Sequence, residues 1–263
     1  MAITRMKEGG LHISLAAERV GTLFGLPITN TLLAAWFVMI VLSLTAFFVG
    51  RNPKVIPGKV QNFFEMLLDF VLGFIEQTLG SRALAIKYLP LLVTIFLFIF
   101  ASNLFDFLPF FGSVGIYHGE EFIPFLHAVN TDLNVTLALA IIAVISIEVA
   151  GVVALGAWTY AGKFFNFSSP LNFFVGIIEF VSEMSRFISF SFRLFGNIFA
   201  GQVLLSVIAL FVPYGLPVPM MAFELFVGFV QAAVFAMLTL FFIKIAITAP
   251  HGHGSEVAHA PAH

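Results

Sequence analysis

Cysteine is absent from the 263-residue chain, which excludes a disulfide framework, a thiolate nucleophile and a cysteine-ligated metal, and leaves the redox compartment unread. Charge is scarce too: 10% of residues, against about 25% in ordinary soluble domains. With a net charge of −2 and no basic block outside loops, binding of nucleic acid has nothing to rest on. No charge interrupts Val20 to Gly50, a run too long for a signal-peptide core and without a convincing Ala-x-Ala cleavage site, so it reads as a retained span. Nothing before position 250 resembles a detachable soluble domain, a repeat or a low-complexity linker, so 1–249 is expected to be one membrane domain. The tail 250–263 carries His251, His253, His259 and His263 among Gly, Ala and Pro and reads as a flexible end, not a metal site. No cofactor is expected. What fills the chain instead is apolar: 60% of residues, with 35 phenylalanines, the composition of an integral membrane protein.

A hydrocarbon core of about 30 Å needs roughly 20 helical residues. Four apolar segments fit, at 28–50, 88–111, 133–161 and 218–247. A fifth, 171–212, would be about 60 Å long as continuous helix, twice that thickness, so it must tilt steeply or break. After Pro57-Gly58, residues Gln61, Asn62, Glu65, Asp69 and Glu76 fall within about 100° of helical arc on an otherwise apolar stretch. This suits an amphipathic helix in the interface or against a polar partner; a sixth crossing would need partners for three carboxylates. The expected fold is therefore all-α: about five transmembrane helices plus one amphipathic interfacial helix. Arg51, Lys54, Lys59, Arg82, Lys87, Lys163 and Lys244 fall on one side of five crossings. The loop 112–132 has no basic residue and carries Glu120, Glu121 and Asp132. The positive-inside rule then puts the C-terminus in the cytoplasm and the N-terminus outside, with Arg5, Lys7 and Arg19 arguing weakly against.

Two basic residues remain, Arg186 and Arg193, both inside the long segment. Guanidinium keeps its proton in proteins, and a charge at bilayer centre costs about 3 kcal/mol on insertion scales and on the order of 10 or more in simulations. Spacing by seven places Glu179, Arg186 and Arg193 on one helical face. Glu183 can pair with Arg186, so those two read equally as an ion pair that fixes packing or as transport groups. Arg193 has no carboxylate three or four positions away, only Ser189 and Asn197, so its counter-charge must come from another helix or another subunit. If the last two segments form a hairpin, Arg193 and Gln231 share a central depth, Gln202 and Glu224 an outer one, and Glu179 with Glu183 an inner patch. Glu148, near the centre of 133–161, either lines a water path or pairs with a polar group not identifiable from sequence. Asp106 and Asp132 read by default as solvated helix-end aspartates. Asn103 and Asn134 read as caps or cross-links as readily as ion contacts.

The run Arg193-Leu194-Phe195-Gly196-Asn197 with Ala200-Gly201 closely resembles the signature of subunit a of F-type ATP synthases. Further matches fall in order: Pro57-Gly58-Lys59, Asn103 through Pro109, Asp132-Leu133-Asn134-Val135-Thr136, and Gln231-Ala232. The resemblance implies a stator subunit beside the rotating c-ring and the b-subunit peripheral stalk, and the paired positive-inside loops with no organelle-targeting presequence favour a bacterial inner membrane. It implies that the last two helices form a strongly tilted hairpin with two offset proton half-channels. Arg193 matches the family's essential arginine, Gln231 its central glutamine neighbour, Asn197 a polar companion and Glu179 an acidic residue of the cytoplasmic-side path. Gln202 and Glu224 occupy positions where members often carry a glutamate and a histidine; no histidine stands there, leaving Glu224 as the titratable inlet group, with Asp106 beside it. A non-catalytic, proton-translocating role follows. The competing class is a secondary transporter or proton channel with a buried arginine, for which broken inverted repeats are missing from the sequence.

Overall fold

Asn30–Gly50 forms the first long helix, α1, because nothing in it breaks an apolar run and Thr29 caps its start, accepting from the Leu32 amide (3.3 Å). The computed structural model describes residues 19–23, 26–51, 58–108, 114–118, 121–162, 170–212 and 214–248; the His-rich tail lies outside them. After α1 come α2 (Lys59–Leu79), α3 (Arg82–Asp106), α4 (Leu133–Leu155), the short α5 (Ala157–Ala161), α6 (Pro170–Phe211) and α7 (Pro217–Ile247). Five of these, α1, α3, α4, α6 and α7, are long and apolar enough to cross a membrane. The amphipathic α2 is not among them. Its second half packs through Ile75 on α3, α4 and α7, while Gln61 bonds Glu65 (2.8 Å) and Glu76 meets Arg82 (3.1 Å) at the surface. Such exposed pairs contribute little stability.

Several boundaries differ from the sequence expectation for local reasons. The segment expected at 88–111 is helical over 82–106; it stops short because Leu108 precedes Pro109, and the residue before a proline is pushed out of helical geometry. The segment expected at 133–161 is two helices, since Gly156 takes φ +85°, a conformation open to glycine and strained for other residues. Two hairpins were not anticipated: β1 (Arg19–Leu23) with β2 (Leu26–Thr29), and β3 (Gly115–His118) with β4 (Glu121–Pro124), both antiparallel. The segment α6 is a continuous helix of 42 residues, so of the two ways to fit it into a bilayer the chain does not break it.

The hairpins mark one end of the bundle, where α1 and α4 begin and α3 ends; α2 marks the other. The central core joins Ile95 and Ile99 of α3, Leu139, Ala140 and Ala143 of α4, Phe190, Leu194 and Ile198 of α6, and Ala232 and Phe235 of α7. Asp132 is no solvated helix end. It is buried, caps α4 by accepting from the Asn134 amide (2.9 Å), and its other oxygen accepts from Thr31 Oγ1 of α1 (2.7 Å). Asp132→Ala removes a cap and an interhelix charged hydrogen bond together. We expect a loss of about 2–4 kcal/mol, visible as a lower unfolding temperature of the detergent-solubilised protein, whereas Asp132→Asn should recover part of it.

Candidate functional site

The two long helices α6 and α7 run antiparallel, and their contacts step in opposite directions along the two sequences. Arg186 stacks over the Phe242 ring (4.0 Å to the centroid), Phe190 meets Phe235 edge-on (4.8 Å), Asn197 meets Gln231, and Gly201 lies against Glu224. Each polar residue singled out by sequence can be placed on this ladder.

Arg193 lies close to the midpoint of α6 with its side chain exposed, outside the bundle. Its Nη2 donates to Ser189 Oγ one turn back (3.1 Å), and no carboxylate of the described residues pairs with it. The exposed stripe Ser189, Arg193, Asn197, Ala200 and Leu204 follows helical spacing, while Leu194 and Ile198 beside it are buried. The position of the cation is thus set by core packing of Phe190, Leu194 and Ile198 on the adjoining face of the same helix.

Gln231 does not face Arg193 directly. Its Oε1 accepts from Asn197 Nδ2 (2.6 Å), and its buried Nε2 has no partner among the described residues. Gln202 and Glu224, expected at one depth, are both at the hairpin end but do not bond each other. Gln202 donates instead to Asp106 of α3 (2.6 Å), so Asp106 is a half-buried acceptor and not a solvated end. Glu224 is buried against Gly201, where a Cβ would stand 2.8 Å from Glu224 Oε1, so any side chain at 201 would make that carboxylate move.

Between these groups lies a cavity of about 10 Å³, lined by Ser102, Asn103, Asp106, Asn130 and Glu224 among others. That is about the room one water requires. Ser102 Oγ and Asn130 Oδ1 are buried without a partner among the described residues, so a water here would satisfy polar atoms that otherwise cost free energy. Asn103 holds the wall together: its Nδ2 donates to the Gly228 carbonyl of α7 (3.2 Å) and its Oδ1 accepts from Asn130 (2.6 Å). Sequence reading did not single out Ser102 or Asn130: Ser102 stands one turn before Asp106 on α3, the one local signal available, and Asn130 joins this wall only through its tertiary contact with Asn103.

Toward the α2 end, Glu183 is buried and Glu179 and Arg186 are half-buried. Thr136 and Ser191 hydroxyls meet at 3.2 Å across α4 and α6. The arrangement is a surface cation with polar, partly buried carboxylates at two separate levels, one toward each end of the bundle. It has carboxylates that can exchange protons at both levels; no grouping of metal-ligating side chains occurs among the described residues.

The model of the ATP synthase A chain family matches residues 32–244. A protein of Moorella thermoacetica, ATP synthase subunit a, is 32% identical over 228 residues, covering 87% of this chain and 94% of that one. Its counterpart from Campylobacter jejuni is 35% identical over 219 residues, covering 82% and 89%. The Arg193 motif, the polar levels of the α6–α7 hairpin and these likenesses lead to one assignment: the chain belongs to the ATP synthase subunit a family, the multi-pass membrane subunit through which the Fo sector translocates protons.

Proposed function

We propose that this chain is the non-catalytic stator of its Fo sector and that Arg193 separates two proton half-channels, each opening to one side of the membrane. The observation that carries the reading is the direction of Arg193: a permanent cation at mid-helix on a face turned away from its own bundle. Its counter-ion then belongs to a neighbour, a carboxylate on the rotating c-ring. A carboxyl turned to lipid holds its proton because desolvation disfavours the charged form; beside Arg193 the opposite charge favours ionisation. The proton leaves on one side of the arginine and another is taken up on the other.

The outer half-channel comprises Glu224, Asp106, Gln202 and the small cavity between Ser102, Asn103 and Asn130. The inner one runs past Glu179 and Glu183. Asn197 and Gln231 form the polar floor beside the arginine. An arginine between the pathways repels an approaching proton and does not relay it. Offset pathways make each elementary charge, about 2.3 kcal/mol per 100 mV, drive rotation. The positive-inside pattern supports a cytoplasmic C-terminus in a bacterial inner membrane, and the exposed apolar half of α2, with Val60, Phe63 and Met66 outward, offers a surface to lipid and to the b-subunit stalk.

The absence of cysteine allows a direct test in the assembled complex. With one cysteine at Ala200 of α6 and one beside the rotor carboxylate, oxidation should yield an a–c cross-link, while a cysteine at exposed Ile40 of α1 should yield none. Equal yields from both positions would overturn the assignment of this face.

A further inference from the structure

Glu148 is a carboxylate on α4, about two turns before that helix ends at Leu155, among residues apolar enough to span a membrane. Its partner is not visible along its own helix. Gly156 turns the chain at φ +85°, α5 folds back, and Tyr160 Oη donates to Glu148 Oε2 at 2.8 Å. The returning ring is 5% exposed and rests on Gly151, where a Cβ would overlap Tyr160 Cε2. The pattern Glu148, Gly151, Gly156, Tyr160 is thus one local device: a carboxylate, a notch for the ring, a reversal and a phenol.

This device lies at the seam between α4 and α6. Tyr160 is within electrostatic reach of Glu148 on its own side and of Glu183 and Arg186 across the seam. Arg186 is in turn fixed over Phe242 of α7, Glu179 lies further along α6, and the remaining described charge on α7 toward this end is exposed Lys244. Burial, then the bond to Glu148, pushes the phenol above its ordinary range, so it stays protonated and serves as a steady donor. A phenol that donates to one carboxylate keeps lone pairs for a second donor, water or a protonated carboxyl.

Resting on the proton-path reading above, we propose that Tyr160 is a positioning residue that holds Glu148 as a further carboxylate of the inner pathway. Protons leaving past Glu183 of α6 then exit along the α4–α6 seam and not only down the outer face of α6. A clasp that merely fixes α5 to α4 would need the same hydrogen bond but not an ionisable acceptor. Glutamine at 148 separates the two, because its amide oxygen still accepts from Tyr160 while it cannot exchange a proton.

The test uses the complete ATP synthase in inverted vesicles, with ATP-driven acidification followed by a pH dye while the bath pH, which addresses the cytoplasmic face, is varied. Glu148→Gln is expected to slow pumping by about threefold or more, and Glu148→Asp to retain most of the rate. Tyr160→Phe and Gly151→Ala, which delete the donor and displace the ring, should each move the bath-pH profile by about half a unit or more. A parental rate and profile for Glu148→Gln in normally assembled complexes would overturn the inference, as would parental profiles for both ring variants. Arg193→Ala is measured alongside: pumping that survives it removes the underlying stator reading, whereas its loss together with a parental Glu148→Gln profile removes this inference alone.

Discussion

Arg193→Ala should reduce coupled ATP synthesis to background and make F1-stripped vesicles passively permeable to protons, read with a pH dye under an imposed gradient. Among the described residues the guanidinium has one hydroxyl contact, to Ser189, and otherwise faces out of the bundle. A charge at this depth costs about 3 kcal/mol on insertion scales and on the order of 10 in simulations, which one charge-assisted hydrogen bond of about 1.5–3 kcal/mol to a single hydroxyl does not outweigh. An opposed carboxylate about 4 Å away supplies about 4 kcal/mol at an effective dielectric of 20. The arginine and the rotor acid therefore complete each other, and alanine removes both the attraction that ionises the rotor carboxyl and the barrier between the pathways. Because Arg193 packs against nothing in the core, the protein should still insert and assemble; synthesis at the parental rate in such complexes would refute the role. Arg193→Lys keeps a charge but places it on a titratable ammonium without the planar fork, so coupling should also fall, with a pH dependence that arginine does not have.

Much of this was legible in the sequence, and the limits have physical causes. Helical spacing gave the stripe of Glu179, Arg186 and Arg193 because that periodicity is local, and the cost of a mid-helix charge pointed to a partner outside the chain. The five spans were legible for the same reason, but their ends were not. The stop at Gly156 lies between apolar residues on both sides, so hydropathy runs through it, and the break is visible only in the glycine's positive φ. The four- and five-residue strands of the two hairpins carry too little pattern to separate from loop. Contacts between distant segments were the main loss. Gln202 was expected to share a level with Glu224, yet its bond goes to Asp106, 96 residues away, because α3 ends against the outer third of α6. Asp132 looked solvated since it stands at the outer end of a span, and is buried because Thr31 of α1 reaches it. The partner of Glu148 needed a chain reversal that no periodicity encodes.

Glu224→Gln is the second variant expected to have a large effect, slowing proton uptake from the outer side by about 10² or more, the scale a positioned proton-transfer group contributes. The amide keeps the size and hydrogen-bonding shape of the side chain, so the contact with Gly201 is preserved and the loss is one of proton exchange. Gly201 gives an independent way to the same group. A Cβ there would meet Glu224 at Oε1 (2.8 Å), Cδ (3.1 Å) and Cγ (3.2 Å), and the carboxylate has Asp106 and the small polar cavity on its other sides. Gly201→Ala should therefore shift the carboxylate a few tenths of an ångström and slow uptake moderately, and Gly201→Val should approach Glu224→Gln without altering any ionisable group. Uptake is read as ATP synthesis against an imposed proton gradient at several outer pH values, with the amount of assembled complex as the control. If Gly201→Val lowers assembly but leaves the rate per complex unchanged, Glu224 is a packing group and the inlet lies with Asp106. Should both variants cut the rate per complex while Asp106→Asn does so less, the buried glutamate of α7 is the group that takes the proton in.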